Sequence, residues 1–229
     1  MSKEKTKNKI NTIVLILLVI VTAVSVFTLG YLNEGLTRKL PEVSNPREAI
    51  FRLMEGNEIF VKSKKNKANI STSRRIATSD FGQNPYATII TCSDSRLSPE
   101  HIFSEGIGDL FVIRTAGNIL SDFDLGSVEY SVFHLGVKAI VVMGHSSCGA
   151  VSGAFNDHEV EGFLSNILEE IKPSLLDTES IEEAEYQNIR NSFNKLLDNY
   201  KYIELINKSE LIIVQARYDI NTGEVVFFI

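Results

Sequence analysis

The chain of 229 residues has only two cysteines, Cys92 and Cys148. That is too few to staple a small disulfide scaffold, so any fold must rest on an apolar core. There is no basic excess: 23 Lys plus Arg face 29 Asp plus Glu, a net charge of −6. A nucleic-acid binder would show an electropositive face, so that class is set aside. Internal repeats and low-complexity tracts are also missing. Hydrophobic residues make up 44%, too many for a disordered chain and too few for a protein with many membrane spans. The length suits one domain, or one domain with an appendage.

Charge itself is missing from one stretch. Between Lys9 and Glu34 no residue is charged, and 13–32 is almost wholly aliphatic. Twenty helical residues span about 30 Å, the thickness of a bilayer's hydrocarbon core. Lys3, Lys5, Lys7 and Lys9 precede the run against Glu4 alone, which leaves residues 1–33 at +3 and the rest at −9. The basic side stays in the cytoplasm, so everything beyond residue 33 is expected outside. A cleaved signal peptide is the alternative, although Ala23-Val24-Ser25 is a poor cleavage site and no cysteine is placed for a lipid anchor. A buried globular helix is the third reading. The expected organisation is a basic N-terminus at 1–12, an anchor or signal segment at 13–32, a tether at 33–45 and a folded domain at 46–229.

Within that domain, Asn45-Pro46-Arg47-Glu48 reads as a helix start, with apolar residues following at helical spacing to Phe60. Residues 62–80 are polar and read as a surface connection with at most a helical turn. Strands are expected at 87–91, 110–113, 139–143, 211–215 and 224–229. Helices are expected from Ser98-Pro99-Glu100 and at 122–135, 147–155, 159–171 and 179–206. The alternation implies an α/β fold, a central mostly parallel β-sheet flanked by helices on both faces. The short turn at 219–223 makes the final strand antiparallel.

Both cysteines fall just past apolar strands, where an open parallel sheet places its ligand crevice. Loops from two strands can bring Cys92, His145 and Cys148 together, and two thiolates with an imidazole suit zinc. A disulfide between the cysteines, or two plain core cysteines, are the alternatives. Asp94 and Arg96 set a carboxylate and a guanidinium beside the first cysteine. Gly144 and Gly149 flank the second pair and permit close backbone approach.

Three runs, in order, are Cys92-Ser93-Asp94-Ser95-Arg96, Gly108-Asp109-Leu110-Phe111-Val112-Ile113-Arg114-Thr115-Ala116-Gly117-Asn118, and Gly144-His145-Ser146-Ser147-Cys148-Gly149-Ala150-Val151. With Ser127-Val128-Glu129-Tyr130 and Tyr218-Asp219-Ile220-Asn221-Thr222-Gly223 they resemble the β-class carbonic anhydrases over about residues 46–229. The resemblance implies reversible hydration of CO2 to bicarbonate, a homodimer or higher even oligomer, and one Zn2+ per chain on Cys92, His145 and Cys148. It also implies a catalytic pair of Asp94 and Arg96, with Asp94 either beside the metal or its fourth ligand, and a substrate pocket with Gln83 and Phe111. Thr91 and Thr115 depart from the family's usual residues. His101, His134 and His158 have no ligand-like partners in the sequence. Residues 157–185 hold ten acidic residues and one lysine, a solvated face. Hydrolysis of CS2 or COS on the same fold, and a non-catalytic zinc-binding module, are the competing functions.

Overall fold

The computed structural model describes residues 16–26, 43–63 and 68–228. The chain divides into two compact units, Met1–Leu40 and Pro41–Ile229. In the first, residues 16–26 are helical. The rest of the apolar run at 13–32 lies outside the described residues, as do the basic N-terminus and most of the tether. Among the described residues no helix is long and apolar enough to cross a membrane.

The second unit opens with α1, Pro46–Lys62. The Asn45 side chain accepts from the Glu48 amide at 3.0 Å, and Glu48 reaches back to the Ser44 amide at 2.8 Å, the reciprocal capping expected from the sequence. A second helix, α2, runs Thr72–Phe81, where a mainly irregular connection was expected. It buries only Arg74, which an ion pair to Asp109 at 2.6 Å fixes. A helix docked by one salt bridge carries no apolar stripe to read. Then follow β1 (Ala87–Thr91), α3 (Pro99–Ile102), β2 (Leu110–Arg114), a 3-10 turn at Ala116–Asn118, α4 (Asp122–Phe133), β3 (Ala139–His145), α5 (Gly149–Phe155), α6 (Phe163–Ile171) and a second 3-10 turn at Lys172–Leu175. The segment 179–206 forms two helices, α7 (Ile181–Leu197) and α8 (Tyr200–Asn207), because Asn199 takes up a new N-cap. Strands β4 (Ile212–Tyr218) and β5 (Val225–Phe228) close the unit.

The strands form one sheet in the order β2-β1-β3-β4-β5. The first four are parallel and β5 is antiparallel to β4, as expected. Every residue of β1 and β3 is buried, because helices cover both faces. On one face Ile89, Val141 and Val214 pack with Leu53, Phe103, Val151 and Ile171. On the other, Ile90, Ile140 and Val142 pack with Val128, Val132, Ile189, Leu196 and Tyr202. Thr91, at the end of β1, is fully buried, with its hydroxyl donating to the Met143 carbonyl at 2.8 Å. Thr115 donates to Asp124, which also closes the capping box of α4 with Ser121.

Candidate metal centre

Register assembles the site. Thr91 of β1 pairs with Met143 of β3, so Cys92 leaves its strand almost level with His145, the last residue of β3. Cys148 lies three residues further on, as the N-cap of α5. The ligand atoms of Cys92, His145 and Cys148 lie within 4.8 Å of one another, and all three residues are buried. Both cysteines are free thiols, so the disulfide alternative does not hold here. Asp94 stands outside this set, occupied by Arg96.

The donor chemistry fits one zinc ion. His145 Nδ1 lies 2.9 Å from the Ser146 carbonyl, which fixes the proton there and leaves the Nε2 lone pair free. That Nε2 atom is buried without a partner, as a ligand nitrogen would be. Cys92 Sγ accepts from the amides of Asp94 at 3.4 Å and Gly117 at 3.3 Å. A hydrogen bond from Cys148, with the neighbouring His145 ring and the two amides acting the same way, draws the Cys92 thiol down to about 4 from 9.0, and the same contact pushes Cys148 up. Burial alone would lower His145, but the Cys92 sulfur holds it above its usual value.

Asp94 is gripped on both oxygens. Oδ1 accepts from the Arg96 amide and Nε, each at 2.9 Å, and Oδ2 accepts from Nη2 at 2.6 Å. The Arg96 side chain is the largest cause holding the Asp94 carboxyl far below the usual range. Arg96 Nη2 also reaches the Ser147 carbonyl at 3.2 Å, linking the two ligand loops.

Several contributors were not singled out from the sequence. Arg114, at the end of β2, donates to the Cys92 carbonyl at 3.2 Å and to the Asp94 carbonyl at 2.7 Å. It staples the loop that carries ligand and acid. Gly117 has φ 71°, and a Cβ there would lie 2.7 Å from Ile171 Cδ1. Its amide reaches Cys92 only because it is glycine. At Gly144 a Cβ would meet Ile189 Cγ1 at 2.5 Å, which bears out the close approach, whereas at Gly149 nothing lies within 4 Å.

The chain does not gather every expected residue here. Gln83 is exposed in the loop that enters β1, at the opposite end of that strand from Cys92. Phe111 is the second residue of β2, half-buried, with its ring 6.1 Å from Tyr130. His134 caps the C-terminus of α4 and stacks on Tyr130 at 5.5 Å. His101 and His158 are exposed.

Three protein ligands, rather than four, mark a catalytic zinc site, and a parallel sheet presents them at its carboxyl edge. Fold and site together define an α/β zinc enzyme. A family model described as carbonic anhydrase matches residues 87–225. Carbonic anhydrase 2 of Mycobacterium tuberculosis is 37% identical over 193 residues, covering 80% of this chain and 93% of the relative. Among solved structures, one of the tetrameric β-carbonic anhydrases of Sordaria macrospora superposes with a TM-score of 0.62 at 29% identity, over 69% of this chain and 87% of that one. The β-carbonic anhydrase CcaA gives the same TM-score and identity over 78% of this chain and 87% of its own. The chain belongs to the carbonic anhydrase family, in its β class.

Proposed function

We propose that this chain catalyses the reversible hydration of CO2 to bicarbonate and a proton, with one zinc held by Cys92, His145 and Cys148. The observation that carries this reading is the Asp94–Arg96 pair poised beside a three-ligand set, which a purely structural zinc module would not need. Zinc, when bound, supplies Lewis acidity and lowers the pKa of a coordinated water to about 7. Asp94, kept ionised by Arg96, can only accept hydrogen bonds. It thereby turns the O–H of the attacking nucleophile toward itself and a lone pair toward CO2. Arg96 holds that carboxylate in place by a charge-assisted fork and, so long as it does, keeps Asp94 from serving as a fourth ligand. Arg114 fixes the backbone of Cys92 and Asp94, so that acid and ligand stay in register.

Gln83 and Phe111 are assigned to the substrate pocket by family resemblance. Within one chain neither is gathered at the triad, so a second copy would have to supply them. The described relatives from Sordaria macrospora are tetramers, and Phe51, Phe81 and Phe123 expose large apolar side chains here. Both support an even oligomer. The uncharged run at 13–32 after four lysines supports a membrane anchor, or a signal segment, with the catalytic unit outside the cytoplasm.

Stopped-flow CO2 hydration on the full-length chain in detergent, with zinc content measured alongside, tests the proposal. Near-stoichiometric zinc with fast turnover is expected. Active protein with a Cys92–Cys148 disulfide and no metal overturns it. COS and CS2 assayed in parallel decide substrate class: preference for either makes the chain a hydrolase of those substrates.

A further inference from the structure

Helix α7 is buried against the sheet, yet three polar residues, Glu185, Asn188 and Ser192, occupy its buried surface. Their spacing of three and four puts them on one face, and each is at most 3% exposed. Nothing in the apolar periodicity of the helix requires them.

Each meets the backbone of a metal-centre loop. Asn188 Nδ2 donates to the Gly117 carbonyl at 2.6 Å, and the Gly117 amide donates to Cys92 Sγ. Ser192 donates to the carbonyl of the next residue, Asn118, at 2.9 Å. Glu185 Oε1 accepts from the Cys148 amide at 3.4 Å. Its other oxygen is held by Arg217 Nε at 3.1 Å and Nη2 at 2.8 Å. Arg217 sits on β4 in register with Gly144, the residue before His145. Two amide atoms of this network, Asn118 Nδ2 and Asn188 Oδ1, are buried without partners. Unsatisfied buried groups lower stability, while the same stripe satisfies the Gly117 and Asn118 carbonyls and the Cys148 amide. All three of those backbone groups belong to the loops that carry Cys92 and Cys148 or touch them.

We propose that Glu185, Asn188 and Ser192 are positioning residues for the metal centre, through which α7 sets both cysteine ligands at once. Asn188 and Ser192 hold the Gly117–Asn118 turn so that its amide points at Cys92. Glu185, anchored by Arg217, holds the backbone amide of Cys148 itself, the N-cap of α5. The inference rests on the zinc assignment to Cys92, His145 and Cys148.

The test is chelator-competition measurement of zinc affinity on the full-length chain, with the thiolate-to-cobalt absorption of the Co2+-substituted protein as a spectroscopic readout. Asn188→Ala and Glu185→Gln are each expected to weaken zinc binding by about 10–100-fold, the range for residues that orient metal ligands, and to shift the cobalt spectrum. Should Asn188→Ala fail to fold, Ser192→Ala reads the same turn. Leu196→Ala, on the same helix but in the apolar core, is expected to lower stability and leave zinc affinity unchanged. Wild type that binds no zinc overturns the metal assignment and this inference with it. Wild type that binds zinc, with variants that bind it as tightly and with an unaltered cobalt spectrum, overturns the inference alone. So does a Leu196→Ala protein that loses as much zinc affinity as the stripe variants.

Discussion

Removing the Arg96 side chain separates the position of Asp94 from its charge. Of the three hydrogen bonds that Asp94 takes from Arg96, one comes from the backbone amide at 2.9 Å, which any residue supplies. Arg96→Ala keeps that bond and loses the two from the guanidinium, along with the Nη2 link to Ser147. The carboxylate is then tethered at one oxygen and free to turn. Its depressed pKa, caused first by the Arg96 side chain, rises back toward the ordinary 3.8. A depressed carboxyl group contributes its charge-dependent stability above its unfolded pKa and loses it as pH falls through the folded value. In the variant that acid limit moves upward, yet it stays well below neutrality. Asp94 therefore remains ionised across pH 6–9 in both proteins, and any loss of activity there comes from position, not protonation. Stopped-flow hydration should show kcat lower by about 10²–10⁴-fold, the scale of a positioned acid–base group. Zinc content should hold, because Cys92, His145 and Cys148 are untouched. Anionic inhibitors should bind more weakly if the freed Asp94 takes the open position. Arg96→Lys, which restores charge without the planar fork, should recover only part of the rate. Near-native kcat in Arg96→Ala across pH 6–9 would refute the assigned role.

Cys148→Ser should abolish stoichiometric zinc in elemental analysis while the free-thiol titre falls by one. Gly144→Ala forces a methyl to within 2.5 Å of Ile189 and should cost about 1–3 kcal/mol of unfolding free energy, the usual range for overpacking. The Gly144→Ala/Ile189→Ala double variant should fall short of the sum of the singles in urea melts. Asn57 ties α1 to the last hairpin through the Gly223 carbonyl and the Val225 amide, each at 2.9 Å. Asn57→Ala strands both groups and should lower stability by about 1–3 kcal/mol per orphaned group. Protease added to intact cells, or to spheroplasts if an outer membrane is present, should reach the catalytic unit; protection until lysis would place that unit inside instead.

The sequence alone determined which chemistry is available and where the strands lie. Short β-branched runs bury on both sheet faces, so their apolar content is local information, and the strands at 87–91 and 139–143 were legible for that reason. Cysteines set just after two such runs were legible as a pair for the same reason, since parallel neighbouring strands end at one edge. Side chains whose roles depend on distant partners were not legible. The α2 helix escaped because Arg74 docks it to Asp109, 35 residues away. Arg114 stood within a recognised motif, but its grip on Cys92 and Asp94 exists only once β2 lies beside β1. Glu185, Asn188 and Ser192 read as polar marks on an amphipathic helix, and Asn188 meets Gly117 from 71 residues away. Gln83 is nine residues from Cys92 in sequence, yet an extended strand rises about 3.3 Å per residue, and β1 carries the two to opposite ends. Residue types fix which groups can bind a metal or accept a proton; packing of strand against strand and helix against loop decides which of them meet.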